Sequence, residues 1–293
     1  MNKVWVMFRQ MFEAWSDDYV PSMGAALAYY TLFSLAPLLL IVIAIAGLVF
    51  GQDAARGEIE AQLRTLMGEG SALAVQEMLT SVRKPAEGIT ATIIGVCLLL
   101  IGATTVFGEL QDTLNRIWKV PVRSKVGGWV ALVRSRLLSF GMVMALGFLL
   151  VVSLVFSAAL AVAGRWWGPF FGEWQMLATV ADALSSFIVV AILFAFIYKT
   201  MPTVHIKWGD VWVGAVVTAV LFTLGKSLIG LYIGHSGAVT GFGAAGSLVV
   251  VMLWVYYSAQ IFLIGAEFTW IYANTFGSRR EQAAPDQKAL QNM

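Results

Sequence analysis

Long apolar runs alternate with short polar connections along this chain. A helix that crosses a bilayer needs about 20 mostly apolar residues. Six runs qualify: 25–50, 89–107, 137–164, 177–198, 211–234 and 246–272. Backbone groups in lipid must be paired within the spanning segment unless a barrel closes. Barrel strands alternate polar and apolar residues, and these runs do not. The pattern predicts an all-α, polytopic membrane protein with six transmembrane helices in one domain over 1–276. The polar tail, 277–293, is expected to be disordered.

The connections set the orientation. Thirteen Lys and Arg residues fall on one side, in the N-terminal leader, the second and fourth loops and the tail, against five on the other. Cationic loops stay in the cytoplasm, so both termini are expected inside. Trp5, Trp15, Trp118, Trp129, Trp208, Trp212 and Trp270 fall near the inner surface, and Trp166, Trp167 and Trp174 near the outer one. Indole rings prefer that interface. The first run exceeds the h-region of a signal peptide, roughly 7–15 residues, and is read as a retained span.

Two connections carry elements of their own. In the first outer loop, Ile59, Leu63, Leu66 and Met67 share one helical face, and Val75, Met78, Leu79 and Val82 another. This predicts two short amphipathic helices broken at Gly68 and Gly70, with Ser71 as a candidate cap. They either form a lid over an outward cavity or rest on the bundle or the bilayer. On the inner side, Leu110, Leu114, Ile117 and Trp118 share a face, so the second span should continue as an amphipathic helix.

Composition sharpens the picture. Of 293 residues 59% are hydrophobic and 12% charged, about half the charged share of a soluble domain. The net charge of +2 gives no electrostatic case for a nucleic-acid partner. The single cysteine, Cys97, has no internal disulfide partner. Gly241, Gly243 and Gly246 match the dinucleotide fingerprint, but no strand precedes them, and that motif works only inside a βαβ unit. His205 and His235 fall on opposite faces, and neither HExxH nor GxSxG occurs. The expectation is no enzyme, no metal and no cofactor.

Candidate site residues are therefore polar groups inside apolar runs, each of which costs a few kcal/mol on insertion scales. Lys226 lies about 12 Å and Asp182 about 8 Å from the outer ends of their spans, which makes them a candidate pair. Glu267 lies near the inner end of the sixth span and Glu109 at that of the second, where Arg134 or Arg136 can pair with them. Gln260 lies near mid-membrane and should hydrogen-bond another helix. Tyr29, Tyr30, Thr31 and Ser34 precede Pro37, whose missing N–H frees a carbonyl and invites a kink. Each group also has a purely structural reading as a packing device, a snorkelling cation or a boundary carboxylate.

The run Ala25-Ala-Leu-Ala-Tyr-Tyr-Thr-Leu-Phe-Ser-Leu-Ala-Pro37 resembles the first-span motif of the YihY/BrkB family of bacterial inner-membrane proteins. Leu114-Asn-Arg-Ile-Trp118, Leu221-Phe-Thr-Leu-Gly-Lys226 and Leu263-Ile-Gly-Ala-Glu267 are similar to its later motifs, in order, over about residues 10–275. The resemblance implies a six-span inner-membrane protein and carries no catalytic residues. Members were once labelled ribonucleases, which the absent metal cluster argues against here.

The functional expectation is a transporter or flippase-like exporter of an amphipathic envelope component such as a lipid. The alternative is a non-transporting scaffold or envelope-integrity and serum-resistance factor. No ATP-binding signature is present, so active transport would draw on an ion gradient or a partner. The lipid bilayer is the expected partner, and nothing in the pattern forbids a homo-oligomer. Alkaline phosphatase inserted after Gly70 should be active, and the same reporter fused after Met293 inactive. The reverse result would overturn the orientation.

Overall fold

The computed structural model describes residues 3–67, 69–82, 105–120, 174–235 and 246–280. They are helical and contain no strand. The helices are α1 (Lys3–Asp17), α2 (Val20–Phe50), α3 (Gln52–Met67), α4 (Glu69–Val82), α5 (105–117), α6 (Trp174–Thr200), α7 (Trp208–His235) and α8 (Gly246–Thr275). The apolar runs 25–50, 177–198, 211–234 and 246–272 lie inside α2, α6, α7 and α8. Among the described residues three segments are long and apolar enough to cross a membrane: Ala183–Thr200, Trp208–Ile233 and Leu248–Thr275. The runs 137–164 and, apart from its last three residues, 89–107 lie outside the described residues. So does the loop holding Gly241 and Gly243.

The chain folds as two units, one of residues 1–120 and 221–271, the other of 121–220 and 272–293. In the first, α1 precedes α2 through a tight corner. Tyr19 there adopts a left-handed backbone, φ 57°, and Pro21 occupies the first turn of α2, where a missing N–H costs nothing. The α1 helix was not legible as an element. Met7, Met11, Ala14 and Trp15 are its half-buried face, while Trp5 and Phe12 stay 59% and 70% exposed. Helix α2 runs through Pro37 without a break in its helical assignment.

The two outer-loop helices form, with two corrections. Helix α4 begins at Glu69, so Gly70 lies inside it rather than breaking it, and Ser71 lies inside it rather than capping it. An acidic side chain is favourable in a first turn, and Glu69 also receives Arg64 Nη1 at 2.6 Å, while Arg64 Nη2 reaches Glu60 at 2.8 Å. Helix α4 then buries Ala74 and Val75 in a core with Ile229 and Ile233 of α7 and Val250 and Val251 of α8, flanked by Leu32, Leu35 and Leu39 of α2. The hairpin thus rests on protein. Glycine sets the closest approach of α7 and α8. A Cβ at Gly225 would lie 2.4 Å from Ile261 Cδ1 and 2.9 Å from the Tyr257 hydroxyl, and small residues at crossings are how membrane helices gain contact.

In the second unit the Tyr198 hydroxyl lies 3.0 Å from Thr218 Oγ1, which is 2.7 Å from the Gly214 carbonyl. The Thr proton goes to that carbonyl, so Tyr198 donates and ties α6 to α7. Asp210, buried in the first turn of α7, accepts from the Ser278 hydroxyl at 2.6 Å and from its backbone N–H at 3.2 Å. Arg279 donates to the His205 carbonyl at 3.2 Å, and Lys199 to that of Ile206. The first residues after α8 are therefore held in place. Exposed apolar residues run along α6 (Val180, Leu184, Ile188, Ile192) and α7 (Val216, Val220, Leu224, Leu228, Leu231). Stripes of that length mark a surface meant for something other than water. Tyr198→Phe, which removes one buried hydrogen bond, should cost about 1 kcal/mol. Gly225→Val should cost more, because its side chain must displace both Ile261 and the Tyr257 ring. Unfolding midpoints in detergent will rank the two.

Candidate functional site at the corner between the first two helices

Helix α8 carries two polar side chains on one face, Gln260 and Glu267, about 10 Å apart at the helical rise. Both meet the corner between α1 and α2. Gln260 Oε1 accepts from the Trp15 indole N–H at 3.2 Å, and its Nε2 donates to the Val20 carbonyl at 3.4 Å. The amide thus binds one group on each side of the corner. Glycine at position 24 makes this possible, since a Cβ there would lie 2.1 Å from Gln260 Nε2.

Two turns further along, Glu267 is 0% exposed, and among the described residues no group donates a hydrogen bond to either carboxyl oxygen. Its charged neighbours are Asp18 and Lys119. Asp18 is the residue just before Tyr19 at the corner, and is itself buried. Lys119 follows the last turn of α5. Its ammonium reaches both Asp18 oxygens, at 2.5 and 2.6 Å, while remaining 48% exposed. The Trp270 ring of α8 lies 5.8 Å from the same ammonium, within the range of a cation–π contact.

Local sequence explains how each group arrives. Helix α5 presents Thr113, Leu114, Ile117 and Trp118 as one buried face. The chain then turns at Lys119, whose φ of 52° is left-handed. Tyr19 and Lys119 are the only non-glycine residues with positive φ among those described, and each sits at the Asp18–Lys119 bridge. Such a backbone costs on the order of 1–3 kcal/mol at a residue with a Cβ and persists only where its surroundings hold it. Here the ion pair and the Trp270 face hold it.

The arrangement brings together two carboxyls and one ammonium. Lys119 is engaged with Asp18, so among the described residues Glu267 is an acidic group in a buried position with no donor of its own. Removing one member of a buried ion pair is expensive because it strands the other. The site can therefore bind positive charge, and it is sensitive to any change in its own charge.

Of the residues singled out from sequence, Glu267 and Gln260 lie on this α8 face. Glu109 is half-buried on α5. On α2, Tyr29 packs against Tyr30 and Phe33, and the Ser34 hydroxyl donates to the Thr31 carbonyl at 3.2 Å. Lys226 is half-buried on α7 and enters no salt bridge among the described residues. The side chains of Asp182 and Pro37 lie outside the described residues, as do Arg134 and Arg136. Asp18, Lys119 and Trp270 were missed. Asp18 read as part of a charged leader and Lys119 as one of many inner-loop cations. Only the fold brings together residues 101 positions apart.

Apolar helices with exposed lipid-type stripes define a helical membrane protein. The chain belongs to the family described as Virulence factor BrkB, whose pattern matches residues 11–290. It is 29% identical over 254 residues to a UPF0761 membrane protein of Pseudoalteromonas translucida, covering 86% of this chain and 81% of that one. It is 23% identical over 256 residues to another from Tolumonas auensis, covering 86% and 80%. A third, from Stenotrophomonas maltophilia, is 26% identical over 266 residues, with 89% of this chain matched to 59% of that longer protein. No solved structure matches.

Lys119→Met should lower stability by roughly 2 kcal/mol, since it strands Asp18. Adding Asp18→Asn should restore much of the loss. Unfolding midpoints of the two single variants and the double variant form the test, and purely additive losses would show that the bridge is not a unit.

Proposed function

We propose that the protein is a transporter or flippase-like exporter that moves an amphipathic envelope component, such as a lipid, across the bacterial inner membrane. In this reading six helices cross the bilayer with both termini in the cytoplasm, and no bond of the substrate is broken. The partner is lipid rather than nucleic acid.

One observation carries the reading. Glu267 is an acidic group in an apolar helix, fully buried, with no donor to either oxygen among the described residues. A helix that served only as scaffold would do better with an apolar side chain there, because an unsatisfied buried polar group is a net cost. Groups of that kind inside membranes mark substrate and ion paths. Asp18, Lys119 and Trp270 then form a charged and aromatic edge able to meet a headgroup. A scaffold reading rests on the opposite kind of contact, the close packing at Gly225 and the α4 core, and requires nothing of Glu267.

The purified full-length chain in liposomes carrying a fluorescent lipid decides between them. Wild-type protein should speed movement of the lipid between leaflets. Glu267→Ala and Lys119→Met should each slow it several-fold, while Leu228→Ala, on the exposed stripe of α7, should leave it unchanged. Movement no faster than in empty liposomes would sink the transport reading.

A further inference from the structure

The cluster at the corner holds one carboxyl more than it has cations. Among the described residues the charged groups facing Glu267 are Asp18, from the corner between α1 and α2, and Lys119, from the end of α5. Both Asp18 oxygens are already bonded to the Lys119 ammonium. Among the described residues nothing donates to Glu267. Two neighbouring carboxyls with a single ammonium are mutually repulsive when both are ionised, and paired carboxyls that must coexist do so by sharing a proton. A proton also needs no room, which suits a side chain with no solvent-accessible surface.

We propose that Asp18 and Glu267 form a proton-binding pair, and that the proton is the coupling ion of this protein. When the proton is bound, a new O–H bond on Glu267 donates a hydrogen bond to the Asp18 carboxylate, and the cluster is neutral with Lys119. When it leaves, the carboxyls repel and the cluster carries one net negative charge. No electron moves and no other bond changes. Lys119 is the half-exposed member of the cluster, so its side of the pair is where the proton exchanges with water.

The geometry also shows what the proton would move. Asp18 and Lys119 are each bound to a left-handed turn, Tyr19 beside one and Lys119 itself the other. These are the two backbone positions in the described chain that depend on their surroundings to stay as they are. Repulsion between Asp18 and Glu267 acts on the first directly and on the second through the ion pair. The corner and the end of α5 are therefore the segments that shift on proton release, while the Gln260 anchor two turns away holds its place on α8.

Naming a coupling ion rests on the transport reading, but the proton site itself does not, and infrared difference spectroscopy tests it without any substrate. The full-length protein in liposomes should show a carboxylic-acid C=O band that is lost as the pH is raised. The band should vanish in Glu267→Gln and return at a shifted position in Glu267→Asp. A band that persists in Glu267→Gln, or one that does not respond to pH in the wild type, would overturn the site. An unfolding midpoint for Glu267→Gln equal to or above that of wild type excludes misfolding as the cause of a lost band. A proton gradient should then accelerate lipid movement in wild type and have no effect in Glu267→Gln. Lipid movement indifferent to the gradient, beside a normal infrared band, would remove the proton as coupling ion and leave the transport reading standing.

Discussion

The first unit depends on one constraint: a polar stripe on the last helix must meet the corner where the first two helices join. Gln260 closes it with hydrogen bonds to Trp15 and Val20, and Glu267 lies against Asp18 and Lys119. In an apolar surround such contacts are directional where dispersion is not, because an amide or a carboxyl has few ways to be satisfied. They fix the register of α8 against α1 and α2. Gly24 and Gly225 supply the clearance, one for the amide and one for the aromatic edge of Tyr257.

The hydrophobic pattern made the helices legible. The apolar runs fall inside α2, α6, α7 and α8, and the periodicity of the first loop located α3 and α4 to within a few residues. Where the pattern was weaker the reading was poorer. Ser71 looked like a cap because serine favours that position, yet Glu69 starts the helix because Arg64 and the helix N-terminus both favour its charge. The α1 helix escaped because its inner face is mostly methionine and alanine, with Trp5 and Phe12 on the outside.

The candidate site was half legible. Glu267 and Gln260 stand out because a polar residue in an apolar run has nowhere to hide. Their partners do not stand out, because Asp18 and Lys119 lie in segments where charge is ordinary. What distinguishes them is burial at Asp18 and a left-handed backbone at Lys119, and neither is written in local sequence. Lys226 shows the converse. It was the most conspicuous charge in the sequence, and among the described residues it lies half-buried without an ion pair.

The position of the anchoring stripe has a consequence for biosynthesis. A chain is made from its N-terminus, and domains order themselves in that direction. Here Trp15 is made 245 residues before Gln260, and Asp18 precedes Glu267 by a similar stretch. The corner must wait, with its polar groups provisional, until α8 arrives. A chain ended before α8 can insert its earlier helices and still lack the piece that locks them. The same contact that organises the first unit therefore reports whether α8 is in place, and it gives quality control a defined feature to recognise in a chain that lacks it.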